Sequence, residues 1–168
     1  MPIQVFAILG VSRDAKLEAL AEVKNIDIFD FQDELDKLLE VGQEACRQVG
    51  NYFGDEFLKK DGSLRAKKLW KFVMSDFHKL RIFYHVVEPI LLNQLQNLKD
   101  STSKEKIIVL MPGLLNTSVL GKFDQIVYLD LPLDGVQADV VNRAFIKPKE
   151  VTNVVKSIVT LREQVESW

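Results

Sequence analysis

Two residues near the start of the chain have the spacing of a phosphate-binding loop. Gly10 ends an apolar run over residues 3–9, and Lys16 follows six positions later. In a loop of the pattern Gly-x-x-x-x-Gly-Lys-Ser/Thr, backbone N–H groups wrap the phosphates, the lysine reaches their outer oxygens, and the hydroxyl ligates Mg²⁺. Gly10 and Lys16 are therefore the candidate nucleotide-binding residues of this chain.

Three other residues of the same segment argue against this chemistry. Ala15 stands where the second glycine would be, Leu17 stands where the magnesium-binding hydroxyl would be, and Asp14 adds negative charge where phosphates would sit. A lone lysine at an exposed helix start is also ordinary. Lys16 thus has two interpretations, a phosphate contact and an ordinary exposed lysine, and we favour the second.

The apolar pattern predicts alternating strands and helices around these residues. Continuous apolar strands interleaved with helices imply a three-layer α/β fold with a mainly parallel sheet, in which the first strand lies centrally. Pro89 should start a helix or kink the one that contains it. The predicted strands are 3–9, 26–29, 107–111, 125–131 and a short one at 138–141, and the predicted helices are 13–24, 31–50, 64–75, 77–98 and 149–166.

Composition narrows the class of protein. The 168 residues are 47% hydrophobic and carry a net charge of −2, which is typical of one globular domain and gives no reason to expect nucleic-acid binding. No apolar run approaches the ~20 residues of a membrane span, so we expect no membrane partner. The single cysteine, Cys46, excludes an intrachain disulfide and favours the cytoplasm or another reducing intracellular compartment, with the thiol packed or idle.

Several short segments resemble, in their order along the chain, the dephospho-coenzyme A kinase family, whose members are P-loop enzymes of the nucleoside-kinase type. The resemblance extends over most of the chain, so one domain is expected over residues 1–168. The segments are Tyr52-Phe53-Gly54, Asp61-Gly62-Ser63-Leu64, Glu88-Pro89-Ile90, Pro112-Gly113-Leu114-Leu115-Asn116, Phe123-Asp124 with the strand after it, and Ala138-Asp139-Val140-Val141-Asn142.

This resemblance implies an activity and a set of site residues. The family transfers phosphate from ATP-Mg²⁺ to the ribose 3′-hydroxyl of dephospho-CoA, and Asp30 matches its likely base for the attacking hydroxyl. The family's second carboxylate is replaced by Gln32, and its His-Pro is replaced by Glu88-Pro89. We favour the alternative that Asp30 caps the helix that follows it. His85, one turn before Glu88, is given no role beyond packing or surface.

Two larger features of the family bear on the same question. A helical subdomain, here about residues 64–98, helps to hold the acceptor. A helical lid that supplies arginines should stand between the strand ending near Asp130 and Ala138, but the seven residues 131–137 leave room only for a bend. Because phosphoryl transfer depends on positioning and charge neutralisation, loss of these parts together should abolish it.

The sequence therefore leaves three hypotheses open. The favoured one is a dephospho-CoA kinase-like pseudoenzyme that acts as a binding or assembly module, with no cofactor expected and another protein as its partner. The second is a divergent but active kinase that uses ATP-Mg²⁺ and Asp30. The third is a protein that binds a nucleotide or CoA without chemistry, through Gly10 and Lys16. No metal ligands are assigned.

Overall fold

The computed structural model describes residues 2–40, 42–115, 117–132, 137–145, 151 and 153–168. Five strands form one sheet in which every neighbouring pair is parallel, so the predicted parallel α/β sheet is confirmed. The strands are β1 (Gln4–Leu9), β2 (Ile26–Asp30), β3 (Lys106–Met111), β4 (Gln125–Leu129) and β5 (Asn153–Val155).

The strand order is β2-β3-β1-β4-β5, which confirms that the first strand is central. β1 pairs with β3 from Gln4↔Lys106 to Leu9↔Met111. Parallel pairing places the carboxyl ends of β1, β2 and β3 at one edge of the sheet, and a site at this edge is general in open α/β sheets.

Helices cover both faces of the sheet. The first helix, Arg13–Leu20, and the last, Ile158–Ser167, pack with Ile8, Leu110 and Val127 on one face of the sheet. The others enclose a larger apolar core on the opposite face, around Ala7 and Val109. The helices are α1 (Arg13–Leu20), α2 (Phe31–Leu38), α3 (Glu44–Phe53), α4 (Ala66–Val73), α5 (Phe77–Ser101), α6 (Gln137–Ala144) and α7 (Ile158–Ser167), with 3₁₀ turns at Asp55–Phe57 and Thr117–Lys122.

The strand predicted at 138–141 is wrong, because these residues belong to α6. The β-branched pair Val140-Val141 favours a strand locally. Tertiary contacts override this preference, since Arg81 of α5 donates to the carbonyl of Ala144 at 2.9 Å and the Arg143 guanidinium lies 4.3 Å from the ring centre of Phe77.

Two predicted helices are also corrected. The helix predicted over 149–166 is interrupted by β5, whose Asn153 pairs with Val127, and α7 begins only after the cap residue Ser157. The helix predicted over 31–50 is two helices, α2 and α3. The chain turns between them at Gly42, whose φ of +85° suits glycine.

α5 runs continuously through Pro89, so this proline does not start a helix. The helical character of residues 64–98 agrees with α4 and α5. The predicted absence of a lid falls on residues 133–136, outside the described chain, and stays a prediction. Among the described helices, none is long and apolar enough to cross a membrane.

Candidate functional site

The segment after β1 is the first turn of a helix rather than an extended phosphate-binding loop. Only Gly10, Val11 and Ser12 separate β1 from α1, which begins at Arg13. Ser12 caps the helix: its hydroxyl accepts from the N–H of Ala15 at 3.4 Å, and its carbonyl accepts from the N–H of Lys16 at 3.3 Å. These two N–H groups are thus bound within the helix instead of facing a ligand.

Gly10 has a structural reason to be glycine. Its φ is +126°, and a Cβ placed there would lie 2.5 Å from the carbonyl oxygen of Leu129 at the end of β4. Only glycine allows the ends of β1 and β4 to approach this closely. The retained Gly10 is therefore explained by packing, without a phosphate.

Lys16 is buried, which contradicts the expectation of an exposed lysine. Its side chain is 3% exposed, and its Nζ donates to the carbonyl of Gly10 at 2.6 Å and to that of Met111 at 3.0 Å. Burial lowers its pKa to about 8, with Asp30 acting in the opposite direction. The ammonium group thus joins the ends of β1 and β3, and a phosphate contact would require it to leave both carbonyls.

Asp30 caps α2, as favoured from the sequence. Its Oδ1 accepts from the N–H of Gln32 at 3.1 Å, and the residue is 6% exposed. Its other oxygen, Oδ2, accepts from Arg13 Nε at 2.6 Å, while the same guanidinium reaches Asp33 Oδ1 at 2.9 Å. The hydrogen bond to Asp30 raises the pKa of Arg13. Both oxygens of the candidate base are therefore engaged within the protein.

Arg13 is the site residue that the sequence did not indicate. It lies on α1, after β1, whereas Asp30 is the last residue of β2, and β3 stands between these two strands. Nothing local marks an arginine that reaches across a third strand. The result is a group in which Arg13 binds Asp30, while the neighbouring Lys16 binds the carbonyls at the ends of β1 and β3.

The described residues at this site do not include a set of side chains suited to binding a metal ion. Leu17 is half-buried and packs into the core cluster on the α1 face of the sheet, and Asp14 is exposed in the first turn of α1. Across the residues that the structure describes, no group of three His, Cys, Asp or Glu side chains could hold a metal ion. A hydrocarbon side chain at 17 offers no oxygen to a hard cation such as Mg²⁺.

Glu88 is an unusual buried acid on α5. The residue is 5% exposed, and its Oε2 has no hydrogen-bond partner within the described part of the chain. Burial raises the pKa of this carboxyl to about 7. The exposed position of His85 agrees with a surface role. Asn116, the last residue of the family-like segment 112–116, lies outside the described residues.

Arg81 connects the elements on this side of the sheet. Its guanidinium donates to the carbonyl of Ala144 at 2.9 Å and to that of Leu115 at 3.4 Å. It therefore ties the end of α6 and the segment after β3 to α5. This role was not predicted, because it joins three segments that are far apart in the sequence.

The fold and the strand order are those of an α/β protein of the P-loop kinase type, and in this chain a capped helical turn follows β1. The family model for dephospho-CoA kinase matches residues 14–167. The chain belongs to the dephospho-CoA kinase family. The match begins after Gly10, so it includes Lys16 and Asp30 but not β1.

Comparison with individual proteins agrees with this assignment. The chain is 25% identical to a dephospho-CoA kinase of Methylococcus capsulatus over 143 residues, which cover 84% of this chain and 72% of that enzyme. A solved Thermus thermophilus structure superposes with a TM-score of 0.59 at 19% identity, covering 99% of this chain and 95% of that one. A dephospho-CoA kinase from Campylobacter jejuni gives a TM-score of 0.53 at 13% identity, with 98% and 94% covered. The two structures support the fold alone.

Proposed function

We propose that this family member does not transfer phosphate and acts as a binding or assembly module. The observation that carries the proposal is the start of α1 at Arg13, which turns the phosphate-loop segment into a capped helical turn. A nucleotide phosphate needs free backbone N–H groups and a free lysine in this place. Here Ser12 accepts from two of those N–H groups, and Lys16 Nζ is bound by two carbonyls.

ATP-Mg²⁺, the cofactor that the family implies, does not fit the described residues. Leu17 supplies no magnesium ligand, and Asp14 repels a phosphate tail. Ala15 is 6% exposed and packs in the core against the sheet, so this position is not part of an open loop. We therefore assign no step to a bound nucleotide.

The acid–base function of Asp30 is likewise opposed by its contacts. A general base must accept a proton from the substrate hydroxyl within hydrogen-bond distance. Arg13 bonds one carboxylate oxygen of Asp30, and the cap of α2 uses the other.

A kinase assay tests the proposal directly. The purified chain, at high concentration with excess ATP-Mg²⁺, is incubated with dephospho-CoA, and 3′-phosphorylated product is quantified. We expect no product above a control without enzyme, and Ala15→Gly combined with Leu17→Ser should not restore it. Turnover that scales with the amount of chain and disappears in Lys16→Ala would establish the divergent-kinase alternative instead.

The third hypothesis, binding without chemistry, is separated by calorimetric titration. ATP-Mg²⁺ and CoA are titrated individually into the wild type and into Lys16→Ala. We expect no saturable heat from ATP-Mg²⁺, because Lys16 and the capped turn leave no phosphate cradle. Saturable binding that depends on Lys16, without turnover, would favour the nucleotide-binding alternative.

We also propose a reducing compartment such as the cytoplasm. Cys46 is free and buried, and its thiol lies 3.6 Å from the carbonyl oxygen of Gly62. Burial raises the pKa of this thiol, which disfavours its reactive thiolate form. Fractionation of the native host, followed by immunodetection, tests the compartment.

A further inference from the structure

A groove lies between α4 and the start of α2. Its volume is about 660 Å³, and we call it the α4 groove. Its lining combines positive charge, an aromatic ring and a thioether. The described lining residues are Gln32, Ala66, Lys67, Trp70, Lys71 and Met74.

The two lysines of the α4 groove are exposed and uncompensated. Within the described ranges, neither Lys67 nor Lys71 has a hydrogen-bond or ion-pair partner. Lys68, on another side of α4, differs: its Nζ lies 3.4 Å from Glu56 Oε2 and 5.4 Å from the ring centre of Phe57. The positive charge directed to the groove is therefore available to an acidic ligand.

The apolar part of the groove is held in place by the core. Trp70 is half-buried, and its ring packs edge-on against Phe83 with 5.1 Å between centroids. Met74 is half-buried beside the same core cluster. On the facing wall, Gln32 Nε2 donates to Asp36 Oδ1 at 2.9 Å, which holds a neutral amide at the groove. A tryptophan held in place by the core is the kind of residue that often contributes much of the binding energy at protein interfaces.

We propose that the α4 groove docks an extended acidic segment of a partner protein. This inference rests on the proposed function, since it names the surface through which the binding module acts. Lys67 and Lys71 are four residues apart, or about 6 Å along the helix axis. Side chains at positions i and i+2 of an extended chain are about 6.6 Å apart on one face. A Glu-x-Glu-x-Leu segment thus places two carboxylates on the lysines and its leucine near Met74.

Charge complementarity favours a peptide over a phosphorylated small molecule. Phosphate sites typically combine lysine or arginine side chains with converging backbone N–H groups at a helix N-terminus or in a loop. The described lining instead presents two ammonium groups on flexible stems, about one turn apart on a helix. A nucleotide or CoA in the groove is therefore treated as a competing outcome of the test.

The test measures fluorescence anisotropy with labelled Glu-Ser-Glu-Ser-Leu and, as its neutral match, Gln-Ser-Gln-Ser-Leu. The full-length wild type is compared with Lys67→Glu/Lys71→Glu. The control variant, Lys59→Glu/Lys60→Glu, makes the same change of charge at two exposed lysines that do not line the groove. Circular dichroism confirms that both variants are folded.

We expect saturable binding of the acidic peptide to the wild type and the control variant. Binding should weaken at least about tenfold in Lys67→Glu/Lys71→Glu and fall with added salt, because exposed charges are screened. The neutral peptide should bind at least about tenfold more weakly than the acidic one.

Two results would overturn the inference. The first is that the acidic peptide does not bind the wild type, and saturable binding of CoA or ADP that depends on Lys67 and Lys71 would then identify the ligand as a phosphorylated small molecule. The second is an equal loss of peptide affinity in both double variants. Failure of the proposed function is distinguishable, because it appears as turnover in the kinase assay whatever the peptide does.

Discussion

Replacing Glu88 should change how the stability of this protein depends on pH. Burial raises the pKa of the carboxyl from 4.5 to about 7 in the folded chain. The folded state therefore holds its proton more tightly than the unfolded state does. This contribution to stability is fully present below pH 4.5 and is lost as the pH rises through 7.

The size of the effect follows from the same shift. One pKa unit corresponds to about 1.4 kcal/mol, so the wild type should lose about 2–3 kcal/mol of unfolding free energy between pH 5 and pH 8. Burial is the cause of the shift, and no charged side chain of the described residues adds to it. On the same helix, the adjacent Tyr84 has its own pKa raised by burial and by the charge of Glu88.

The variants Glu88→Gln and Glu88→Met remove the titrating group. Both variants should make the free energy of unfolding depend less on pH between pH 5 and pH 8. The melting temperature of each variant minus that of the wild type should therefore be roughly 5–10 °C larger at pH 8 than at pH 5. Glu88→Met has no polar atom to leave unpaired, so it isolates the effect of charge from that of hydrogen bonding.

The assay is thermal and urea unfolding at half-unit intervals from pH 5 to pH 8. Glu18→Gln, at an exposed carboxylate on α1, is the control and should follow the wild type. If the wild type and both Glu88 variants changed in parallel across this range, the reasoning that Glu88 is buried without compensation would be refuted.

Three further substitutions test the contacts at the strand ends, each by urea unfolding. Gly10→Ala should cost at least about 2 kcal/mol, because the left-handed backbone and the 2.5 Å approach to Leu129 both oppose a Cβ, whereas Gly42→Ala, with open space around it, should cost less. Lys16→Met should cost about 1–3 kcal/mol, since two buried carbonyls lose their donor, and an unchanged midpoint would contradict this. Asp30→Ala should be less stable than Asp30→Asn by about 1 kcal/mol, because asparagine can still cap α2 but alanine cannot; equal values would remove the cap from the explanation.

Much of the architecture could be predicted from local pattern. The apolar runs at β1, β3 and β4 are continuous because parallel strands are buried on both faces, and this signal is carried by each segment alone. The prediction of a helix over 149–166 was wrong at β5 because the local pattern there is weak. Only three residues pair there, and Val154 and Val155 of this strand also fit a helical period together with Val151 and Ile158.

The sequence indicated which residues form the candidate site, but it did not predict most of the contacts that their side chains make. The spacing of Gly10 and Lys16 and the position of Asp30 after a strand indicated residues that the structure brings together at the carboxyl ends of β1 and β2. The capping function of Asp30 was also readable, because a cap is a contact between near neighbours in the chain.

The sequence by itself determined the class of fold, the central position of β1 and the family, since these depend on periodicity and on the order of short segments. Only the tertiary structure decided where Lys16 points, which group pairs with Asp30, and that Val140-Val141 is helical. The physical reason is the same in each case. Lys16 binds the end of β3, Arg13 reaches across that strand to Asp30, and α6 packs on α5, so each outcome is set by contacts between distant segments that outweigh local preference.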